Sequence, residues 1–248
     1  MSVGSNAPSD KQRVGDGLFA PNQNEILAQL SATDLAVITA GADEVELDIR
    51  HEVFDRGDSL RTVYFPLTGL ISMVIVLKTG PIVEAHTVGK EGFVGTPLLN
   101  DVATTRCRGI CQVAGKFLAL PAADFTERLK SLPDLKRRLR RYTQFATDVL
   151  AQNAACNGIH SIEQRCARWL LITADGIGSN DFRLTQEFLS QMLAVRRPGV
   201  NVAMRSLVRR ELVSHSYGHM RILDRPGLTI ASCECYATIV ERAREVLS

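Results

Sequence analysis

Leu184–Val213 reads LTQEFLSQMLAVRRPGVNVAMRSLVRRELV, and the fold of the C-terminal part follows from its periodicity. Thr185 is a good N-cap, and Glu187 places a carboxylate in the first turn, where the helix dipole favours it. Leu189, Met192 and Leu193 then fall on one face of a short helix. Ala194 and Val195 break the pattern without room for a long loop. Pro198 suits the first turn of a second helix, because its missing N–H is not needed there. Val200, Ala203, Met204, Leu207 and Val208 give that helix a clean apolar stripe. Arg196, Arg197, Asn201, Arg205 and Arg209 lie off it. One helix would brace while the other presents donors to a major groove.

An ordinary helical hairpin with a solvated basic face would show the same stripe. Two neighbouring features favour DNA. Leu212–Leu223 reads LVSHSYGHMRIL, two apolar runs around a Tyr217-Gly218 turn, a β-hairpin able to act as a wing. Its His215 and His219 are expected to meet phosphate or solvent. The charge is also lopsided. Arg183 to Arg221 carries seven basic and two acidic residues, whereas Met1 to Leu60 carries four basic and eleven acidic. An anionic polymer would dock on the basic end.

With 248 residues, 45% of them hydrophobic and 23% charged, the chain has room for two modest domains with real cores. No apolar run approaches the roughly 18 residues of a membrane span. The opening MSVGSNAPSDKQRVGDG lacks an apolar h-region, so residues 1–20 read as a disordered tail and not a secretory signal. Six cysteines without small-domain spacing suit free thiols in a reducing cytoplasm.

Residues 21–132 read as one β-rich domain. Ile26, Leu27, Leu30, Leu35 and Ile38 suit one or two short helices, with a capping signal at Ser31 to Asp34. From Val45 to about Leu120, β-branched and aromatic runs alternate with turns every ten or so residues, the pattern of a sandwich or jelly roll. The glycine-dense Gly89-Lys-Glu-Gly-Phe-Val-Gly95 reads as a tight turn, or as a place where backbone approaches a ligand.

Residues 133–158 read as one long helix that Pro133 opens. Leu135, Leu139, Tyr142, Ala146, Val149, Asn153 and Cys156 step by four and three, a heptad seam. It predicts a two-helix contact, most simply a homodimer, with Asn153 able to fix register. The span to Asn157 is roughly 34 Å at about 1.5 Å per residue, longer than a small roll needs. Gly158 would be a hinge into residues 159–248. There Ser161 caps the next helix, and a closing helix runs from Leu228 to Leu247. On such a helix Cys233 and Cys235 would point their thiols apart, so no metal site is expected.

Roll, long helix, hinge and winged helix-turn-helix together resemble the Crp/Fnr family of bacterial transcription regulators, over roughly Asn22 to Leu223. The GKEGFVG turn and TQEFLSQMLAVRRPGV carry the resemblance. Thr185, Leu189, Ser190, Leu193, Ala194, Val195, Arg197 and Val200 fill the family's helix-turn-helix pattern. The resemblance implies an α+β chain: an N-terminal jelly-roll sensor, a dimerisation helix and a C-terminal winged helix-turn-helix. Its partners would be double-stranded DNA at a pseudo-palindromic promoter and RNA polymerase.

The DNA-facing set is then Thr185, Arg196, Arg197, Gly199, Asn201, Arg205, Arg209 and His215. Arg197 matches the family arginine that reads guanine through O6 and N7. Pro198 stands where a cytosine-reading Glu usually follows, and Val202 where some members carry another Arg. The effector pocket corresponds to Gly92, Gly95, Thr96, Arg106 and Cys107. It departs from the cyclic-nucleotide members: Thr96 replaces the ribose-binding Glu, Arg106-Cys107 the phosphate-binding pair, and Leu150 and Ala151 the base contacts. Each unmade hydrogen bond would cost on the order of 1–3 kcal/mol, so cyclic AMP is not expected as a tight ligand. The first cysteine is Cys107, so the family's N-terminal iron–sulfur cluster is not expected either.

A cupin-type jelly-roll enzyme would need clustered ligands, and the roll offers only His51 and His86, not as an H-x-H pair. No G-x-S-x-G, Walker or H-E-x-x-H pattern occurs. A ligand-binding dimer acting through a protein partner is the remaining alternative.

Overall fold

The computed structural model describes residues 23–247, so the tail expected over residues 1–20 lies outside the described residues. A 3₁₀ turn (Leu27–Gln29) and helix α1 (Ala32–Thr39) lead in, and the Ser31 side chain caps α1 by accepting from the Asp34 N–H. Strands β1 (Asp43–Leu47), β2 (Glu52–Phe54), β3 (Thr62–Pro66), β4 (Leu70–Val76), β5 (Ile82–Val88), β6 (Arg108–Val113) and β7 (Gly115–Pro121) follow. They form two antiparallel sheets, ordered β1-β7-β3 and β2-β6-β4-β5. Helices α2 (Ala122–Leu129) and α3 (Pro133–Ile159) close this unit, with Pro133 in the first turn of α3.

The C-terminal unit comprises α4 (Ile162–Ile177), β8 (Asp181–Arg183), α5 (Gln186–Met192), α6 (Arg197–Arg209), β9 (Val213–Ser216), β10 (His219–Ile222), α7 (Arg225–Ala231) and α8 (Cys235–Leu247). Ser161 and Gln164 make a reciprocal capping box at the start of α4. The two units touch. The Gln112 amide of β6 donates to Thr173 Oγ1 of α4 at 2.9 Å, and the Lys90 N–H donates to the Gly176 carbonyl at 2.9 Å.

The heptad seam points the other way from the expectation. Leu135, Leu139, Tyr142 and Ala146 are buried in the chain's own core and are not available to a second copy. The reason is aromatic packing. Tyr142 lies 5.6 Å from Phe93 and 6.3 Å from Phe145, and Phe93 meets Phe65 at 5.8 Å and Phe125 at 6.1 Å. Roll, α2 and α3 share this cluster, and each such ring pair adds about 0.5–1.5 kcal/mol beyond area burial. Val149 is half-buried against the same core, and the Asn153 amide donates to Ala85 O of β5 at 2.8 Å. A heptad thus marks a buried stripe, here buried within the chain.

Two further expectations change. The chain turns at His160, which is extended (φ −88°, ψ 150°), and Gly158 stays inside the last turn of α3. The closing helix is two helices, because Ser232, Cys233 and Glu234 break it. Cys233 therefore lies off the helix and Cys235 begins α8, and their thiols converge where a continuous helix would have spread them.

Candidate nucleic-acid interface

Helices α5 and α6 are set by local chemistry. Thr185 Oγ1 accepts from the Phe188 N–H at 3.2 Å, so this predicted DNA contact is first of all an N-cap, with its residue exposed. Between the helices, Ala194 takes a left-handed conformation (φ 52°), and the Val195 N–H donates to Ser190 O at 3.0 Å. A buried guanidinium, Arg165 of α4, donates to the Leu193 carbonyl and holds this turn from beneath. Val200, Ala203, Met204 and Leu207 of α6 are buried as their spacing predicts; Val208, at the edge of the stripe, is exposed.

The opposite face of α6 is cationic and free. Arg196 precedes its first turn and Arg197 begins it; Arg205 and Arg209 follow, all exposed. Among the described residues Arg196, Arg197 and Arg209 have no ion-pair or hydrogen-bond partner, and Arg205 donates only to Asn201 O of its own helix at 3.2 Å. By contrast Arg210 is tied to Glu163 at 2.9 Å and Arg221 to Asp181. Cations left without acidic partners at the N-terminal end of an exposed helix suit phosphate and guanine edges.

Three predicted contacts have other duties. A Cβ on Gly199 would lie 2.9 Å from Ile162 Cδ1, so glycine lets α6 cross close over α4. His215 Nε2 lies 3.0 Å from Leu184 O and ties the wing to the loop before α5. Asn201 is half-buried, and its Oδ1 is buried without a partner.

The wing is a three-stranded sheet ordered β8-β10-β9, one strand more than the hairpin expected. Tyr217 (φ 49°) and Gly218 (φ 75°) make its turn, and Tyr217 is fully exposed at the tip. Val202, 62% exposed in the middle of the α6 face, was not in the predicted set. Its position two residues after Val200, off the apolar stripe, was the available signal; a thymine methyl is the contact it can make.

Comparison with known proteins agrees with this geometry. Residues 164–229 match the family described as the Crp-like helix-turn-helix domain. That match identifies the C-terminal unit as a Crp-like helix-turn-helix domain. No curated protein matches the sequence. Among solved structures, FixK2 from Bradyrhizobium japonicum is similar at a TM-score of 0.65 and 14% identity, over 77% of this chain and 98% of that one. A putative Crp/Fnr regulator from Eubacterium rectale scores 0.63 at 14% identity, over 85% and 98%. The c-di-GMP-responsive regulator CLP of Xanthomonas campestris scores 0.60 at 16%, over 77% and 99%. At these identities the structures establish the fold, and the helix-turn-helix match makes the C-terminal unit a DNA-binding domain of the Crp-like class.

The predicted effector residues do not come together as a pocket. A Cβ on Gly92 would lie 2.3 Å from the Tyr142 ring, so the close approach glycine permits is taken by that side chain. Gly95 (φ 146°) turns the chain into a 3₁₀ segment that Thr96 begins. Arg106 is exposed on a bend, and Cys107 is half-buried with its N–H bonded to Thr105 Oγ1 at 3.1 Å. A cavity of about 440 Å³ lies elsewhere, between the Gly89–Gly92 turn, α3, α4 and α8; Glu91, Phe145, Val149, Ile172, Arg225 and Tyr236 are among its lining residues. Burial raises the Glu91 carboxyl to about 7. Among the described residues no helix is long and apolar enough to cross a membrane.

Proposed function

We propose that this chain is a Crp/Fnr-type transcriptional regulator that acts in the cytoplasm as a homodimer and places two copies of α6 in successive major grooves of a pseudo-palindromic promoter site, roughly 34 Å apart. We read it as a regulator working with RNA polymerase and not as an enzyme. The observation that carries the DNA half is the set of unpartnered arginines on exposed α6. For the dimer, the outward face of α3 is the support. Thr147, Ala151, Ala154, Ala155 and Gly158 are exposed, Leu150 is 39% exposed, and a Cβ on Gly158 would meet open space. Small residues stepping by four, three and four allow two such helices to approach closely.

A small effector would act best from the cavity between roll, α3 and α4, because its walls belong to both units. Its volume falls in the usual range for ligand sites, about 300–1,000 Å³. Fluorescence anisotropy on duplexes from the protein's own upstream region, read across salt concentrations, tests the reading. Saturable binding at two chains per site with a steep salt slope is expected. Equal affinity for every duplex, or one chain per site, would refute it.

A further inference from the structure

Four metal-ligating side chains that the DNA-binding reading does not use converge where α3 meets α8. Cys156 lies in the last turns of α3 and His160 just past its end. Cys233 lies in the break between α7 and α8, and Cys235 begins α8. Cys156 Sγ and Cys233 Sγ are 3.5 Å apart, and Cys235 Sγ and His160 Nδ1 are 3.6 Å apart. One ligand atom from each of the four lies within 4.8 Å of all the others.

We infer that Cys156, His160, Cys233 and Cys235 bind one Zn²⁺ in a tetrahedral Cys₃His site that pins the closing helix to the junction between α3 and α4. Zn–S distances of about 2.3 Å put tetrahedral sulfurs about 3.8 Å apart, close to the spacings here. The three thiols are buried and the ligand set is complete at four, which describes a structural site and not a catalytic one. Thiolate and imidazole donors select a soft or borderline ion over Ca²⁺ or Mg²⁺.

The surroundings fit that ion. Glu234 Oε2 lies 3.0 Å from His160 Nε2, which keeps the ring proton there and frees Nδ1 for the metal. The Gln152 amide donates to Cys235 Sγ at 2.9 Å. Three thiolates on Zn²⁺ leave one net negative charge. Arg165 and Arg168, 7% and 5% exposed, both act electrostatically on Cys156. Neither has a carboxylate partner among the described residues: Arg165 donates to Leu193 O, Arg168 to Asn153 Oδ1, and both Nε atoms are buried without a partner. Two buried cations without an ion-pair partner are costly, Glu84 acting on Arg168 only from beyond ion-pair distance, and a zinc thiolate centre supplies negative charge beside both. The same two arginines link this centre to the helix-turn-helix turn and to α3.

The full-length protein, purified with a thiol reductant, is assayed for zinc by mass spectrometry and titrated with Co²⁺ after chelation. One zinc per chain is expected, with the intense visible bands of tetrahedral cobalt and a thiolate charge-transfer band. Cys233→Ser should abolish the bands. Glu234→Gln keeps every ligand at an exposed position and should weaken zinc about ten-fold or more without unfolding the chain. Cys107→Ser, in the roll, should bind as wild type. Absent zinc with only octahedral cobalt spectra, or unchanged affinity in both Cys233→Ser and Glu234→Gln, would overturn the assignment. The readout involves no DNA, so it stands or falls separately from the promoter-binding reading.

Discussion

Trp169 of α4 donates its indole N–H to Glu84 Oε1 of β5 at 2.8 Å, joining the C-terminal unit to the roll through a half-buried carboxylate. Ser72 of β4 donates to the other oxygen at 2.6 Å. Burial dominates, and it raises the Glu84 carboxyl from 4.5 to about 7 despite these two bonds and the nearby Arg168.

The pH dependence follows from that shift. Between 4.5 and about 7 the unfolded chain has lost this proton while the folded chain keeps it. Stability is therefore greatest below the lower value and falls as pH rises through the upper one, by roughly 3 kcal/mol in all. Glu91 shifts in the same sense, and His86, lowered from 6.5 to about 4 by burial, opposes both over its own range. The Glu84→Gln variant keeps an acceptor for the Trp169 N–H, offers Ser72 Oγ an amide donor in place of the second acceptor, and does not titrate. Urea unfolding across this window should show its stability advantage over wild type growing with pH. An unchanged difference would mean that Glu84 is already ionised in the folded chain.

Reading by Arg197 and anchoring by Arg209 should separate experimentally. Arg197 stands at the N-terminal end of α6 and Arg209 in its last turn. Arg197→Ala is expected to cost about 1–3 kcal/mol on the cognate duplex and to relax preference at one base pair. Arg209→Ala should weaken all duplexes alike and flatten the salt slope by about one unit. Parallel loss on cognate and random duplexes for Arg197→Ala would reassign it to the backbone.

The winged helix-turn-helix was legible because its signals are local: the Thr185 cap, the Pro198 start, the Val200–Leu207 stripe and the Tyr217-Gly218 turn. The roll was legible as strands for the same reason, but its strand order was not. What failed was partner assignment. Leu135, Leu139 and Tyr142 carry the spacing of an intermolecular seam, and spacing cannot tell whether Phe93 and Phe145 or a second chain will cover them. The thiol cluster was hidden because Cys156 and Cys233 lie 77 residues apart in sequence. The break at Ser232–Glu234 that brings them together has no glycine or proline to announce it.

The two faces of α3 should respond differently to substitution. Leu139 is fully buried inside the chain, so Leu139→Ala should cost about 2–5 kcal/mol of folding stability. Ala151 and Ala154 are exposed. Ala151→Glu or Ala154→Glu should leave the melting temperature of the monomer unchanged while placing like charges across the proposed dimer contact. Sedimentation should show dissociation for these variants. A dimer that persists in both would move the contact off this face.

Ala194 offers a change that separates stability from recognition. It holds a left-handed backbone conformation (φ 52°) between α5 and α6, at an exposed position with no packing to lose. An L-residue gives up roughly 1–2 kcal/mol there, because its Cβ crowds the following carbonyl. Glycine removes that strain but adds about 0.4–1 kcal/mol of unfolded-state entropy. The balance predicts that Ala194→Gly raises stability by up to about 1 kcal/mol. The turn itself stays in place, because the Ala194 N–H donates to Gln191 O at 3.1 Å and the Val195 N–H to Ser190 O at 3.0 Å, bonds that need no side chain at Ala194. Calorimetry should show a higher melting temperature and anisotropy an unchanged affinity for DNA. A lower melting temperature would mean that the turn is relaxed as it stands; a higher one with weaker DNA binding would mean that the methyl group itself helps set the angle at which α6 enters the groove.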